Sequence, residues 1–375
     1  MMVTGTVAPI LIKIWQNREV MQKAFLESHI RRRVAGLPNV TINYEVSVQD
    51  LLTSDDKSKI SGVAFTQSEE QATMHADLVV DTTGRASRTP QWLTELGYDV
   101  PKETSFETGL RYASRMYQPK KEQDWQVMIL YPKMPESKKL GVICGVEEDR
   151  WLVTLVGYLG DHPPTDEEGY LDYARQLASP EIYHLLQEAE PLSDITTFTY
   201  PRQRRRHYDK LKRFPDGLVV MADAACSFDP VFGQGMTVAA LQAVELDKLH
   251  VRTGGNMAGF PRKFHKRIAA VTNLPWMLAT GETRRFPELS NPKPVWLKLM
   301  HWYNGLIYSA SGSDPAVYEC FLKVLHLTTG PHQLIHPKIL WRVARHSLSQ
   351  RFRKARTSTQ PSVVDTRAPA RNMMN

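Results

Sequence analysis

Apolar and polar positions alternate along this chain in a pattern whose period changes several times. From Val20 to Gly36 the apolar residues Val20, Ala24, Phe25 and Leu26 fall at helical spacing. Arg31, Arg32 and Arg33 stand near the end, where cations suit a helix dipole, and Gly36 and Pro38 stop the helix. Val40 to Leu52 and Lys59 to Phe65 read as strands joined by the polar loop Thr53 to Ser58, and His75 to Asp81 (HADLVVD) as a further buried strand. Between Glu107 and Leu159 come short runs rich in Val, Ile, Leu, Tyr and Trp: Arg111 to Met116, Trp125 to Tyr131, Leu140 to Val146 and Trp151 to Tyr158. Their hairpin-like spacing predicts an antiparallel sheet. Asp166 to Gln187 is helical, Phe260 to Thr280 is a helix interrupted at Pro275, and Asn291 to Leu327 carries amphipathic helical runs. From Thr357 onward large apolar residues are scarce, so that tail is predicted to be disordered.

The chemistry concentrates in residues 217 to 243, GLVVMADAACSFDPVFGQGMTVAALQA. A Phe-Pro-Asp-Gly turn leads into the apolar strand Gly217 to Met221, which ends at Asp223. Pro230 and Gly233-Gln234-Gly235 follow, and Met236, Ala239, Ala240, Ala243 and Leu246 recur at helical spacing. The unit is strand, acid, tight loop, helix. A ligand at the carboxyl end of such a strand meets the loop and the unpaired N–H groups of the next helix together. Glycine at 233 and 235 lets the backbone approach a flat ring or a phosphate with no Cβ between. The carboxylate can accept hydrogen bonds from sugar-like hydroxyls. Gly-Gln-Gly alone is more often an ordinary strand-to-helix turn; the whole string is far more specific.

That string resembles the second FAD-binding motif of FAD-dependent monooxygenases of the aromatic-hydroxylase type, the 2-polyprenyl-6-methoxyphenol hydroxylase-like group. Its pattern is Gly-Asp-Ala, several residues, Pro, two residues, Gly-Gln-Gly. The resemblance implies that Asp223 holds the ribityl or ribose part of FAD, and that Pro230, Gly233, Gln234, Gly235 and Met236 lie along the flavin. The family's first Gly is Ala222 here, and an alanine fits if its φ is negative. Two weaker likenesses accompany it. Lys23-Ala24-Phe25-Leu26-Glu27 matches the family's Arg-x-x-Leu-Glu helix with Lys23 in the Arg position, which keeps the charge without the bidentate fork. Asp81-Thr82-Thr83-Gly84-Arg85 is similar to the Asp-Ala-Thr-Gly-Arg variant of a second family motif, placing Gly84 and Arg85 at the cofactor. Thr83 stands where that motif usually has Asp, so contacts made through that carboxylate do not carry over.

The Gly-x-Gly-x-x-Gly turn that holds the pyrophosphate in such proteins occurs nowhere in this sequence. The expectation is therefore that the chain begins inside the family's FAD domain. The fold class is α/β, with a partial Rossmann-like FAD-binding domain, an antiparallel-sheet substrate domain and C-terminal helices. The FAD domain occupies 1–106 and 201–260, the substrate sheet 107–200, the helices 261–356 and a basic tail 357–375. The implied function is oxygenation (hydroxylation or epoxidation) of a small hydrophobic or aromatic substrate, with NAD(P)H as electron donor. Tyr112, Tyr117, Trp125 and Trp151 are candidates for the pocket wall, although aromatics in such a sheet are more often core. No catalytic side chain can be named. Two alternatives stand beside this reading: a flavin-dependent reductase of isoprenoid double bonds, and a non-catalytic fragment of the same fold.

At 375 residues and 42% hydrophobic, the chain can bury a sizeable core. The net charge of +7 changes meaning once it is located, because Lys338 to Asn375 holds nine Lys or Arg against one acid and the rest of the chain is near neutral. Such a basic end is more often solvated or laid on an anionic membrane surface than a reader of nucleic acid. The cations at 202, 204, 205, 206 and 210 are expected to be mostly solvated, with one or two pairing to acids nearby. Cys144, Cys226 and Cys320 show no metal or disulfide spacing, which fits a reducing cytoplasm. Val3 to Ile12 lacks the basic region and cleavage site of a signal peptide, and no uncharged run reaches the ~20 residues of a bilayer span.

Overall fold

The computed structural model of the protein describes residues 11–14, 23–123, 125–132, 134–289 and 294–357. In chain order the strands are β1 (Leu11–Ile14), β2 (Val46–Thr53), β3 (Ile60–Gln67), β4 (Glu70–His75), β5 (Val79–Asp81), β6 (Glu103–Gln118), β7 (Val127–Leu130), β8 (Lys139–Val146), β9 (Arg150–Gly157), β10 (Glu190–Pro191), β11 (Thr196–Arg206), β12 (Leu218–Val220) and β13 (Cys226–Ser227). The helices are α1 (Lys23–Ala35), α2 (Thr89–Glu95), α3 (Glu167–Arg175), α4 (Glu181–Glu188), α5 (Gly235–Thr253), α6 (Phe260–Thr283), α7 (Val295–Ser311), α8 (Pro315–Leu325) and α9 (Pro337–Thr357).

The sixteen-residue β6 is the spine of an antiparallel sheet ordered β1-β7-β8-β9-β6-β11-β13, with β10 also on β6. Period-two alternation gives this sheet two apolar faces. Ala113 and Tyr117 of β6, Trp151, Val153 and Leu155 of β9 and Ile143 of β8 face α3 and α4, packing on Tyr170, Tyr173 and Ile182. Trp125 and Trp151 stack in this core at 5.7 Å, so these two and Tyr117 are packing residues. The interleaved residues Leu110, Tyr112, Leu140, Val142, Val156 and Tyr200 face the other way, toward Val231 and Phe286.

Beside it lies the parallel pair β5–β12, registered Leu218 to Val79 and Val220 to Asp81, and the antiparallel sheet β2-β3-β4. The buried faces of α5 and α6 cover β12 through Leu249, Phe260, Phe264 and Ile268 against Val219 and Val220. On β12 the Val220 N–H donates to Nε2 of buried His265, 3.1 Å away, so a ring nitrogen satisfies a donor that β5 does not.

Three local expectations change. The predicted Asp166 to Gln187 helix is two helices: α3 ends at Arg175, and α4 starts afresh at Glu181 after Pro180, whose fixed φ suits a helix start. Pro275, by contrast, does not interrupt α6, whose buried face outweighs the roughly 3 kcal/mol that an interior proline costs. The cations of β11 are not mostly solvated: Arg205 and Arg206 are buried and Arg204 is half-buried. Arg204 and Arg206 bond to segments more than a hundred residues earlier, at Arg85, Ser87 and Glu103. The tail beyond Thr357 lies outside the described residues, as do the side chains from Arg351 onward.

Burial holds the His265 imidazole down to about 3 from its ordinary value of 6.5. A depressed pKa contributes stability that is full above pH 6.5 and is lost as pH falls toward 3. We expect a melting temperature that drops over that window in wild type and drops less steeply in His265→Gln, whose amide oxygen can still accept from Val220. Equal slopes in a pH series of thermal melts would remove His265 from the acid limb.

Candidate functional site

The parallel pairing of β5 and β12 sets their carboxyl ends side by side, and the two turns they emit, Gly84–Ala86 and Ala222–Ala224, abut. Buried Asp81 organises the first turn. Its carboxylate accepts from the Thr83 N–H at 2.9 Å and from the hydroxyls of Thr83, Ser87 and Thr89 at 2.6, 2.6 and 2.5 Å. The second turn is held from behind by Gln242 of α5, whose Oε1 accepts from the Ala222 N–H at 2.7 Å while its Nε2 donates to Thr272 at 3.1 Å. Ala222 has φ +53°, not the negative value an alanine prefers. It takes up the left-handed conformation that a glycine would supply, at a cost of about 1 kcal/mol.

Arg206 joins both turns to the large sheet. Its Nε donates to Glu103 Oε1 at 2.8 Å, and one terminal nitrogen reaches the carbonyls of Ala224 at 3.1 Å and Ser87 at 3.5 Å. Arg204 donates to the Arg85 carbonyl. The Arg85 guanidinium lies over the rings of Tyr200 and Phe198, 4.8 and 5.6 Å from their centroids. Asp223 is exposed on the adjoining turn, close enough for its charge to act on the Tyr200 hydroxyl. Gly84, Arg85 and Asp223 are thus brought together. Lys23 opens α1, and its side chain lies outside the described residues.

Pro230 begins a single 3-10 turn, Pro230–Phe232, capped by Asp229, and Gly233 closes it at φ +62°. Gln234 turns inward, buried, and donates to the Leu325 carbonyl at 2.9 Å, tying the loop to the end of α8. Gly235 opens α5, and Met236 is 56% exposed on its first turn. A Cβ built at Gly84, Gly233 or Gly235 meets nothing within 4 Å. At 84 and 233 a positive φ explains the glycine. At 235 neither φ nor any neighbouring atom does, and the bare backbone there faces open space.

Sequence reasoning missed Asp229, where an Asp-Pro pair reads only as a turn signal. The residue is fully buried, and its Oδ2 accepts from Tyr158 at 3.0 Å. Its Oδ1 accepts from the Val231 N–H at 2.9 Å and from Tyr112 at 3.4 Å. Burial pushes this carboxyl up to about 6, while the three hydrogen bonds pull against the shift. Burial likewise raises the Tyr112 and Tyr158 hydroxyls, aided by the Asp229 charge. Tyr112, offered as a wall residue, therefore does lie on the sheet face that meets the Pro230–Gly235 loop. Among the described residues no group of three or more His, Cys, Asp or Glu side chains could hold a metal ion.

Protein Rv3254 of Mycobacterium tuberculosis (strain ATCC 25618 / H37Rv) is 30% identical over 363 residues, covering 93% of this chain and 75% of its own length. The chain belongs to the family of Protein Rv3254. No family model matches it. The Rv3254-family fold seen here is shared with flavin proteins of low sequence identity. Superposition on the flavin-dependent brominase Bmp2 gives a TM-score of 0.58 at 15% identity, covering 82% of this chain and 70% of that one. A flavoprotein/dehydrogenase from Cytophaga hutchinsonii gives 0.56 at 14%, covering 88% and 73%. This is the α/β architecture that the Asp223 to Met236 motif predicted.

The raised Asp229 pKa carries a stability consequence with its own sign. Stability from this group is full below pH 3.8 and lost as pH rises through about 6, because the buried charge is disfavoured. Asp229→Asn keeps an acceptor for Val231 and removes the charge. It should gain stability over wild type as pH rises from 4 to 7.5, by up to about 3 kcal/mol. Denaturant titrations at the two pH values measure the difference, and a gap that does not widen contradicts the assignment.

Proposed function

We propose that this Rv3254-family protein is an FAD-dependent oxidoreductase, a monooxygenase acting on a small hydrophobic or aromatic substrate with NAD(P)H as electron donor. The carrying observation is Gly235, a glycine that neither backbone nor packing requires, at the start of a helix and facing open space. The donor set around it fits a dinucleotide. The first N–H groups of α5 and the positive end of its dipole suit an anionic or electron-rich edge. Asp223, exposed at the end of β12, suits sugar hydroxyls, and the Gly84 and Gly233 backbones leave room for close approach.

When bound, FAD supplies the redox chemistry that no side chain of the site offers. The chain's own part is position and exclusion of water. The sheet face of Leu110, Tyr112, Leu140 and Val142 forms an apolar wall on the loop side. Asp229 behind that wall holds or releases a proton on its carboxylate near neutral pH, with Tyr158 and Tyr112 as its donors. The three cysteines are free, which fits a cytoplasmic setting.

A hydrogen bond from a hydroxyl to a charged acceptor is worth about 1.5 to 3 kcal/mol, so Asp223→Ala should weaken FAD binding by roughly tenfold to a hundredfold. Quenching of flavin fluorescence measures it, and unchanged affinity would take Asp223 out of the site. Oxygen uptake in step with NADPH oxidation is the expected signature of oxygenation. NADPH oxidation without oxygen uptake would replace that reading with reduction.

A further inference from the structure

Two helices at the C-terminal end hold large apolar side chains in solvent. On α7, Val295, Leu299 and Trp302 recur at i, i+4 and i+7, exposed by 81%, 63% and 61%, with Trp296 also exposed. On α9, Trp341, Arg345 and Leu348 repeat the same spacing, and all three are exposed. The helices pack on each other through Leu306, Ile307 and Ala310 of α7 and Ile339 and Val343 of α9; the α9 stripe lies on the side of its helix away from that seam, and the α7 stripe precedes Leu306 on the turns before the seam. Tyr303 donates to the Leu334 carbonyl, which ties the segment that carries exposed Ile335 to α7.

Charge decides what such a face fits. Lys338 to Arg356 contains seven Lys or Arg and no acid, whereas the chain before Lys338 is near neutral. The Arg345 guanidinium sits over the Trp341 ring at 4.8 Å, so cation and aromatic share one surface. A second copy of this chain would bring an equally basic helix against the first. A face that reads phosphates alone would have no use for a Val-Leu-Trp stripe. Rings and aliphatic chains interleaved with cations match the boundary between anionic headgroups and acyl chains.

We propose that the α7–α9 face docks on an anionic lipid bilayer. The helices lie on the surface, since no helix among the described residues is long and apolar enough to cross a membrane. The rings insert at the headgroup level while Lys338, Arg345 and the basic residues after them pair with lipid phosphates; Arg342 is held by Asp314. Each cation near the surface adds about fivefold to the partition constant, and salt removes that gain.

The test is cosedimentation of the full chain with phosphatidylcholine vesicles containing about 30% phosphatidylglycerol, with pure phosphatidylcholine as the control. The expected result is binding to the anionic vesicles alone, falling at least about tenfold between roughly 50 and 500 mM NaCl. The double variant Trp302→Ala, Trp341→Ala removes only exposed rings, so its melting temperature should hold while vesicle binding drops at least about tenfold. Lys338→Glu with Arg345→Glu should weaken binding to the anionic vesicles at least about tenfold. Wild-type chain left in the supernatant, or a Trp302→Ala, Trp341→Ala variant that binds as wild type does, would overturn the proposal. So would sedimentation equilibrium without lipid showing a wild-type dimer that the variant loses, which would assign the face to a second copy.

Discussion

The guanidinium of Arg206 is the constraint on which the arrangement of the site depends. Its side chain is 7% exposed, and its donors are divided among Glu103 at the start of β6, Ser87 after β5 and Ala224 after β12. A buried cation must be matched by acceptors, and here the acceptors belong to three segments, which β5–β12 and β6–β11 pairing bring close and the guanidinium ties together. Satisfying one residue therefore fixes the strand ends of the small parallel sheet against the large antiparallel one. The planar fork makes the junction directional in a way that a lysine would not reproduce.

From that junction the site is built outward in two directions. Toward the helices, Gln242 holds Ala222 in a left-handed conformation, and the second turn offers Asp223 to solvent. Toward the sheet, Asp229 anchors the Pro230 turn and ties it to Tyr112 and Tyr158 on β6 and beyond β9. The loop that carries the bare glycines is held at one end by Asp229 and at the other by Gln234, which donates to the Leu325 carbonyl. The strain at Ala222 and the buried charge at Asp229 both cost stability at neutral pH, and both lie within the one motif that carries the chemistry.

What could be read in the sequence was local. The strand, acid, loop and helix of residues 217 to 246 are contiguous, so the residues that define the turn also signal it. The alternation of Leu110, Tyr112, Leu140 and Val142 against Ala113, Ile143 and Val153 is likewise visible as period two. What could not be read was set from a distance. The sign of φ at Ala222 depends on Gln242, twenty residues on. The burial of Arg206 depends on Glu103, 103 positions away, so a run of arginines read alone resembled a solvated strand end. Strand β4 escaped because all six of its residues are exposed, and main-chain pairing with β3, not burial, makes it a strand.

The central claim is that the open space in front of Gly235 belongs to a flavin. The most direct measurement is the FAD affinity of Gly235→Val beside its thermal stability. Because a Cβ at 235 meets no atom of the chain and φ there is ordinary, the substitution should leave the melting temperature unchanged or slightly raised. Bound FAD would meet the added methyl groups, so affinity should fall at least about tenfold, as it does when close packing must give way. A variant that binds FAD as wild type does, at equal stability, would contradict the account.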